Sequence, residues 1–177
     1  ATTTSAYTYL NYGWYGITTA DADESGDFRW LAAISPGTSD MHIWLGTNDG
    51  LLGSPVITVA QVWANLQRMT ARAFVAGAKR VFIATPISRV AAGSAGDTFN
   101  QSLSALIRAG VPRLGTNAYL FDYAAAPLLG ATGAYSNSAC FNDQIHLTNP
   151  GTGSCAGTKT GYSYLAQLFS DDLNMAD

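Results

Sequence analysis

Asp143 and His146, in the stretch Asp143-Gln144-Ile145-His146, have the spacing best suited to acid–base chemistry in this sequence, and His146 is one of only two histidines. On a tight turn or a first helical turn, residues three apart can lie on one side of the backbone. The carboxylate then accepts a hydrogen bond from one imidazole nitrogen and leaves the other free to move a proton. That is the base half of an acyl-transfer triad. The same spacing also arises by chance, as a capped loop carrying a solvated histidine, so the pair gains meaning only from what accompanies it.

Two further elements accompany it. Gly46-Thr47-Asn48-Asp49 follows the apolar run Met41-His42-Ile43-Trp44-Leu45. A buried strand ending in Gly and then Asn offers a side-chain amide donor at the strand's carboxyl end, where open α/β sheets bind ligands. Upstream, Tyr7-Thr8-Tyr9-Leu10 runs into Asn11-Tyr12-Gly13-Trp14-Tyr15-Gly16. A glycine just past a strand can present an unobstructed backbone N–H to a developing oxyanion. Each glycine also reads as ordinary turn chemistry, but three such elements in this order form a constellation.

In these blocks the chain resembles the SGNH or GDSL-type serine hydrolases, and the resemblance runs over nearly all 177 residues. Residues 11–16 are similar to the family's second block, which assigns an oxyanion donor role to Gly16. Gly46-Thr47-Asn48-Asp49 is similar to the third block, which gives a second oxyanion donor in Asn48. Asp143 and His146 match the fifth block, the triad acid and base. The resemblance implies a three-layer α/β/α sandwich with a central parallel sheet, flavodoxin-like and of SGNH type. It implies an esterase acting on small acyl esters, O-acetyl groups on carbohydrate among them, with no cofactor. Trp14 and Tyr15 stand beside the oxyanion glycine and would line the substrate pocket with Leu51, Leu52 and Ile145.

The first block, a Gly-Asp-Ser-Leu-like segment whose serine is the nucleophile, has no counterpart: no Gly-Asp-Ser occurs. Gly96-Asp97-Thr98 is the nearest lookalike, but Thr98 with Gln101 reads as a helix capping box. Ser5 precedes a strand rather than ending one. The G-x-S-x-G elbow of other hydrolases is absent too. The expectation is a single domain over residues 1–177 that lacks its first strand, with the serine on a missing N-terminal segment or a second chain. A different class of function fits the same departure: a non-catalytic ligand- or carbohydrate-binding module on this scaffold.

Composition bounds the alternatives. Charged residues are 12% of the chain and the net charge is −3, so no basic patch invites nucleic acid. No apolar run reaches the roughly 20 residues a membrane-spanning helix needs. Two histidines and two cysteines are too few to suggest a zinc site. Cys140 and Cys155 flank the 143–146 segment; a bridge between them would close a loop of about 15 residues, worth roughly 3 kcal/mol. Because the enclosed segment is rich in Gly, Pro and Ser, a disulfide is favoured over two free thiols. With few lysines and plentiful Thr, Ser and Gly, it points to a secreted or periplasmic protein.

These residues need elements to hold them. Strands are predicted near residues 6–11, 42–46, 80–85 and 118–122, and helices around 28–34, 59–76, 99–109 and 162–173. The second helix opens with Thr58 and Gln61 as a capping box and carries Val59, Val62, Trp63, Leu66, Met69 and Phe74 on its apolar face. Alternation of this kind implies parallel strands with helices on both faces. His42 is expected as a hydrogen-bonded core residue, Asp49 and Asp122 as loop anchors, and Trp30, Trp44 and Trp63 as core. The Ala-, Gly- and Ser-rich loops 88–96 and 128–139 are expected to form mobile rims.

Overall fold

The computed structural model describes residues 10–11, 16–23, 29–50, 57–90, 95–149 and 154–175. It is an α/β fold in which helices flank a small parallel sheet. Strands β1 (Asp40–Ile43), β2 (Arg80–Ala84) and β3 (Ala118–Phe121) lie in the order β1-β2-β3, every neighbouring pair parallel. All three carboxyl ends therefore face one edge of the sheet. Helices α1 (Thr19–Asp23) and α2 (Arg29–Ala32) precede β1; α3 (Val59–Val75) and α4 (Ala95–Gly110) form the crossovers; α5 (Gly161–Met175) closes the chain.

Strand β2 is buried at every position, as a central strand covered on both faces should be. Alternation divides its side chains. Val81 and Ile83 pack with Val62, Leu66 and Met69 of α3 and with Leu103 and Ile107 of α4. Phe82 and Ala84 face the opposite cluster, where Leu165, Leu168 and Phe169 of α5 meet Phe121, Phe141 and Leu147. Each fully buried aliphatic side chain stabilises the fold by roughly 1.5–3 kcal/mol, so these two clusters fix the helices to the sheet. At its amino end the sheet is fastened by Arg80, whose Nε and Nη2 donate to the two carboxylate oxygens of Asp40 at 2.9 and 2.6 Å.

Helix α3 starts as its capping box requires: Gln61 N–H donates to Thr58 Oγ1 at 3.2 Å, and Thr58 N–H donates to Gln61 Oε1 at 2.7 Å. Helix α4 departs from expectation. It begins at Ala95, so Thr98 lies inside it and forms no capping box with Gln101, whose amide instead donates to Gly130 O at 2.7 Å. The first turns of α4 are held by tertiary bonds. Asp97 accepts from Ser88 Oγ at 2.6 Å and from Gly133 N–H at 2.9 Å, and Asn100 donates to Ile87 O at 2.8 Å. The described parts of the loops expected as mobile rims meet here, with Ser88 N–H also donating to Leu129 O at 2.8 Å; Ser88 and Leu129 are both fully buried.

The strands are shorter than expected at their carboxyl ends, and β1 starts at Asp40 rather than His42. Of the predicted strand at residues 6–11, only Leu10 and Asn11 lie among the described residues, and neither is in a strand. His42 is not a hydrogen-bonded core residue. It is exposed on β1, with its ring against Phe121 and Phe169 at 5.1 and 5.0 Å between centroids; β1 stands at the end of the strand order, where no described strand covers it. Trp30, Trp44 and Trp63 are partly buried against the two clusters. Asp122 is the anchor expected, accepting two bonds from Arg108 at 2.7 and 2.8 Å. Among the described residues no helix is long and apolar enough to cross a membrane.

Candidate active site

The 141–148 segment folds back on itself before α5. Phe141 and Leu147 form an antiparallel bridge, Asn142 N–H donates to His146 O at 2.8 Å, and Thr148 N–H donates to Cys140 O at 2.8 Å. The turn at its tip is built by Asp143. Its Oδ1 accepts the backbone N–H groups of Ile145 at 3.0 Å and His146 at 2.7 Å, and its Oδ2 lies 2.7 Å from His146 Nδ1. One carboxylate therefore both closes the turn and engages the imidazole. The backbone N–H of His146, followed by its ring, holds the Asp143 carboxyl down at about 2. An ionised Asp143 can only accept, so Nδ1 carries the proton in this contact, and in the neutral form of the ring Nε2 keeps a lone pair. Both side chains are about half exposed, and Ile145 is partly buried beside them.

The base of this hairpin is fastened by a disulfide between Cys140 and Cys155, whose Cα atoms are 4.4 Å apart. Thr148 joins it to α5, accepting Gly161 N–H at Oγ1 (2.8 Å) and Tyr162 N–H at its carbonyl (3.2 Å). Gly161 permits that approach: a Cβ there would lie 2.2 Å from Cys140 O.

Asn48 comes from the turn after β1. Gly46 opens this turn with φ +107°, and a Cβ on it would lie 2.5 Å from Leu103 of α4 and 3.1 Å from Val62 of α3. No other residue type fits that crossing. The turn then reaches back to the chain at two points, Ile17 before α1 and Thr19 at its first residue. Asn48 Nδ2 donates to Ile17 O at 3.0 Å, and the fully buried Asp49 accepts Thr19 N–H at both carboxylate oxygens, 2.9 and 3.0 Å. Burial pushes the Asp49 carboxyl up, against the pull of its bonds to Thr19. Asp49 is thus the loop anchor expected; Gly16, at φ +76°, immediately precedes Ile17, whose carbonyl Asn48 holds.

The two halves meet through residues 89 and 90, in the segment after β2. Arg89 Nη1 donates to Asn48 Oδ1 at 3.0 Å, and Val90 N–H donates to Gln144 O at 2.9 Å. Gln144 is the one described non-glycine residue with positive φ, +65°, a backbone state that costs an L-residue roughly 1–2 kcal/mol. A continuous set of bonds therefore runs from Ile17 through Asn48, Arg89 and Val90 to the turn bearing Asp143 and His146. It follows the carboxyl ends of β1 and β2, the edge where parallel α/β sheets bind ligands.

Comparison with protein-family models, with curated proteins and with solved structures finds no match for this chain. The reading of the site rests on its geometry.

Of the residues singled out in the sequence, Asn48, Asp143 and His146 fall in this connected set, with Ile145 in the same turn; Gly16 precedes Ile17 at its start and makes none of these bonds. Trp14, Tyr15, Leu51 and Leu52 lie outside the described residues. Among the described residues, no group of three or more His, Cys, Asp or Glu side chains is arranged to hold a metal ion. Arg89 was not foreseen. Its signal was present, since it is a lone cation in the small and apolar run Thr85-Pro86-Ile87-Ser88-Arg89-Val90-Ala91-Ala92, in a chain with only nine lysines and arginines.

Proposed function

We propose that this chain forms most of a serine esterase of SGNH type, secreted or periplasmic, that hydrolyses carboxylic esters of small acyl groups, O-acetyl groups on carbohydrate among them. The observation that carries the reading is the 2.7 Å contact of Asp143 Oδ2 with His146 Nδ1, in a turn bonded through residues 89 and 90 to the segment that holds Asn48. In this reading His146 Nε2 takes the proton of a serine hydroxyl as the oxygen attacks the ester carbonyl. The negative oxygen is met by Gly16 N–H and Asn48 Nδ2. The imidazolium then returns the proton to the leaving alcohol, and water cleaves the acyl-serine by the same route. The serine is carried on a strand outside this sequence, on the same polypeptide or an associated one, in a flavodoxin-like α/β/α sandwich. The resemblance assigns Trp14, Tyr15, Leu51, Leu52 and Ile145 to the substrate pocket. The disulfide supports an oxidising compartment.

The test is hydrolysis of p-nitrophenyl acetate by the complete native protein, with any associated chain, before and after a serine-directed organophosphate. Activity should be abolished, and mass spectrometry should find the adduct on a serine in a Gly-Asp-Ser-like peptide. No hydrolysis, or activity that survives the inhibitor and dies with a chelator, would reject the esterase reading.

A further inference from the structure

We infer that Arg89 is a positioning residue that fixes which way the Asn48 amide faces, and so turns Asn48 into an oxyanion donor; the inference rests on the esterase reading for its catalytic consequence. An asparagine amide has two ends of nearly equal size and opposite hydrogen-bonding character. Only with Nδ2 toward the reacting carbonyl can it stabilise an oxyanion. Here both neighbours impose the same choice. Arg89 has donors only, and its Nη1 lies 3.0 Å from Oδ1; Ile17 O accepts only, and lies 3.0 Å from Nδ2. A flipped amide would set N–H against the guanidinium and C=O against C=O. One Nδ2 hydrogen is taken by Ile17, and the second remains for the site.

A cation at Oδ1 does more than hold the amide. It draws electron density from the amide nitrogen and strengthens the remaining N–H as a donor. Arg89 is only 7% exposed, so little water screens that effect. The segment that aims it is rigidly placed: Ser88 is bonded to Asp97, Ile87 O to Asn100, and Val90 N–H to Gln144 O. Two adjacent residues thus set the oxyanion donor and the turn carrying the base in one register.

The experiment compares Arg89→Met, Arg89→Lys, Asn48→Ala and the double variant Asn48→Ala/Arg89→Met in the complete native protein. With p-nitrophenyl acetate, Arg89→Met should lower kcat about tenfold, less than the 10²–10³-fold expected for loss of the donor itself, with KM nearly unchanged. Arg89→Lys should recover part of the loss. In the Asn48→Ala background, Arg89→Met should cost nothing further. Losses that multiply, or an unaltered kcat in Arg89→Met, would overturn the inference. A second measurement does not depend on hydrolysis. The side-chain amide pair of Asn48, assigned in a ¹H–¹⁵N spectrum by its absence from Asn48→Ala, should move in Arg89→Met and, to a smaller extent, in Arg89→Lys. An amide pair that stays in place in both folded variants refutes the positioning role. If the unmodified protein hydrolyses no ester, the esterase reading fails by itself and the amide resonances still decide whether Arg89 holds Asn48.

Discussion

Asp143 does two jobs with one carboxylate, and this makes its chemistry testable. Its Oδ1 is saturated by two backbone N–H groups and its Oδ2 by the His146 ring. Replacing it with asparagine keeps the size and leaves an oxygen for the backbone, but sets an amide N–H against Nδ1. The imidazole must then carry its proton on Nε2, where it cannot act as a base. On the esterase reading Asp143→Asn should therefore lower kcat by up to about 10⁴-fold in a protein that still folds. A variant with near-normal kcat would remove Asp143 from the mechanism. The carboxyl's depression from 3.8 to about 2 also sets a pH window. A group whose folded value is lowered contributes stability that is complete above its unfolded value and is lost as pH falls through the folded value. The turn should thus hold its bonds through mildly acid solution and open only as pH drops below about 4 toward 2. Following the Asp143 side-chain carbon by NMR should give a midpoint well under 3.8; an ordinary midpoint would mean that the turn is open in solution. The Asp143–His146 contact was legible because its signal is local, two residue types three positions apart. Arg89 was not, because its partner Asn48 is 41 positions away and nothing in the sequence announces the contact.

At the scale of elements, the turn after β1 is the part whose geometry decides whether the donor side of the site exists. Its side chains bind Ile17 before α1 and Thr19 at the start of α1, and Thr19 is tied in turn to α3 by Asn65 Nδ2, which donates to Thr19 Oγ1 at 2.9 Å. Asp49→Ala should leave the buried N–H and hydroxyl of Thr19 short of an acceptor and cost about 2 kcal/mol in urea unfolding, while weakening the placement of Gly16. Unchanged stability would show that the clamp is dispensable. Sequence reading recovered α3 nearly to the residue because its cap and its apolar spacing are local signals. It misplaced the start of α4 for the opposite reason. Asp97 and Asn100 resemble surface residues of a loop or first turn. In the fold they are buried and bonded to residues 87, 88 and 133, so the surroundings rather than propensity extend the helix to Ala95. The same bonds join the described ends of two Gly- and Ala-rich loops at Ser88, Leu129 and Gly133.

Over the whole molecule, the alternation of strand and helix was enough to read a parallel sheet with helices on both faces, because a parallel crossover leaves a chain few other ways to bury both faces of a strand. The exposure of His42 was not readable, since it depends on what lies beyond the last described strand rather than on β1 itself. The disulfide matters at this scale because it joins parts that secondary structure leaves separate. Cys140 and Cys155 both sit in the cluster formed with α5 and the Phe82 face of the sheet, and the 15-residue separation they span contains Asp143, His146 and Thr148. On the chain-entropy view, closing a loop of that length removes roughly 3 kcal/mol of freedom from the unfolded chain. For a domain of this size, each kcal/mol corresponds to about 2–4 °C in melting temperature. Replacing both cysteines by alanine should therefore lower the melting temperature by about 6–12 °C. It should also speed amide exchange at His146 and Thr148, whose N–H groups close the turn and the hairpin, more than at β2, which is held by neighbours on both sides. Calorimetry with exchange measured by mass spectrometry separates these effects. Equal acceleration across the sheet would mean that the bridge stabilises the domain without pinning the loop. Alkylation of two thiols in the unreduced, denatured protein would show that the bridge is not formed in solution, and the Asp143–His146 turn would then be held to α5 by the Thr148 bonds and the packing of Phe141 and Leu147 alone.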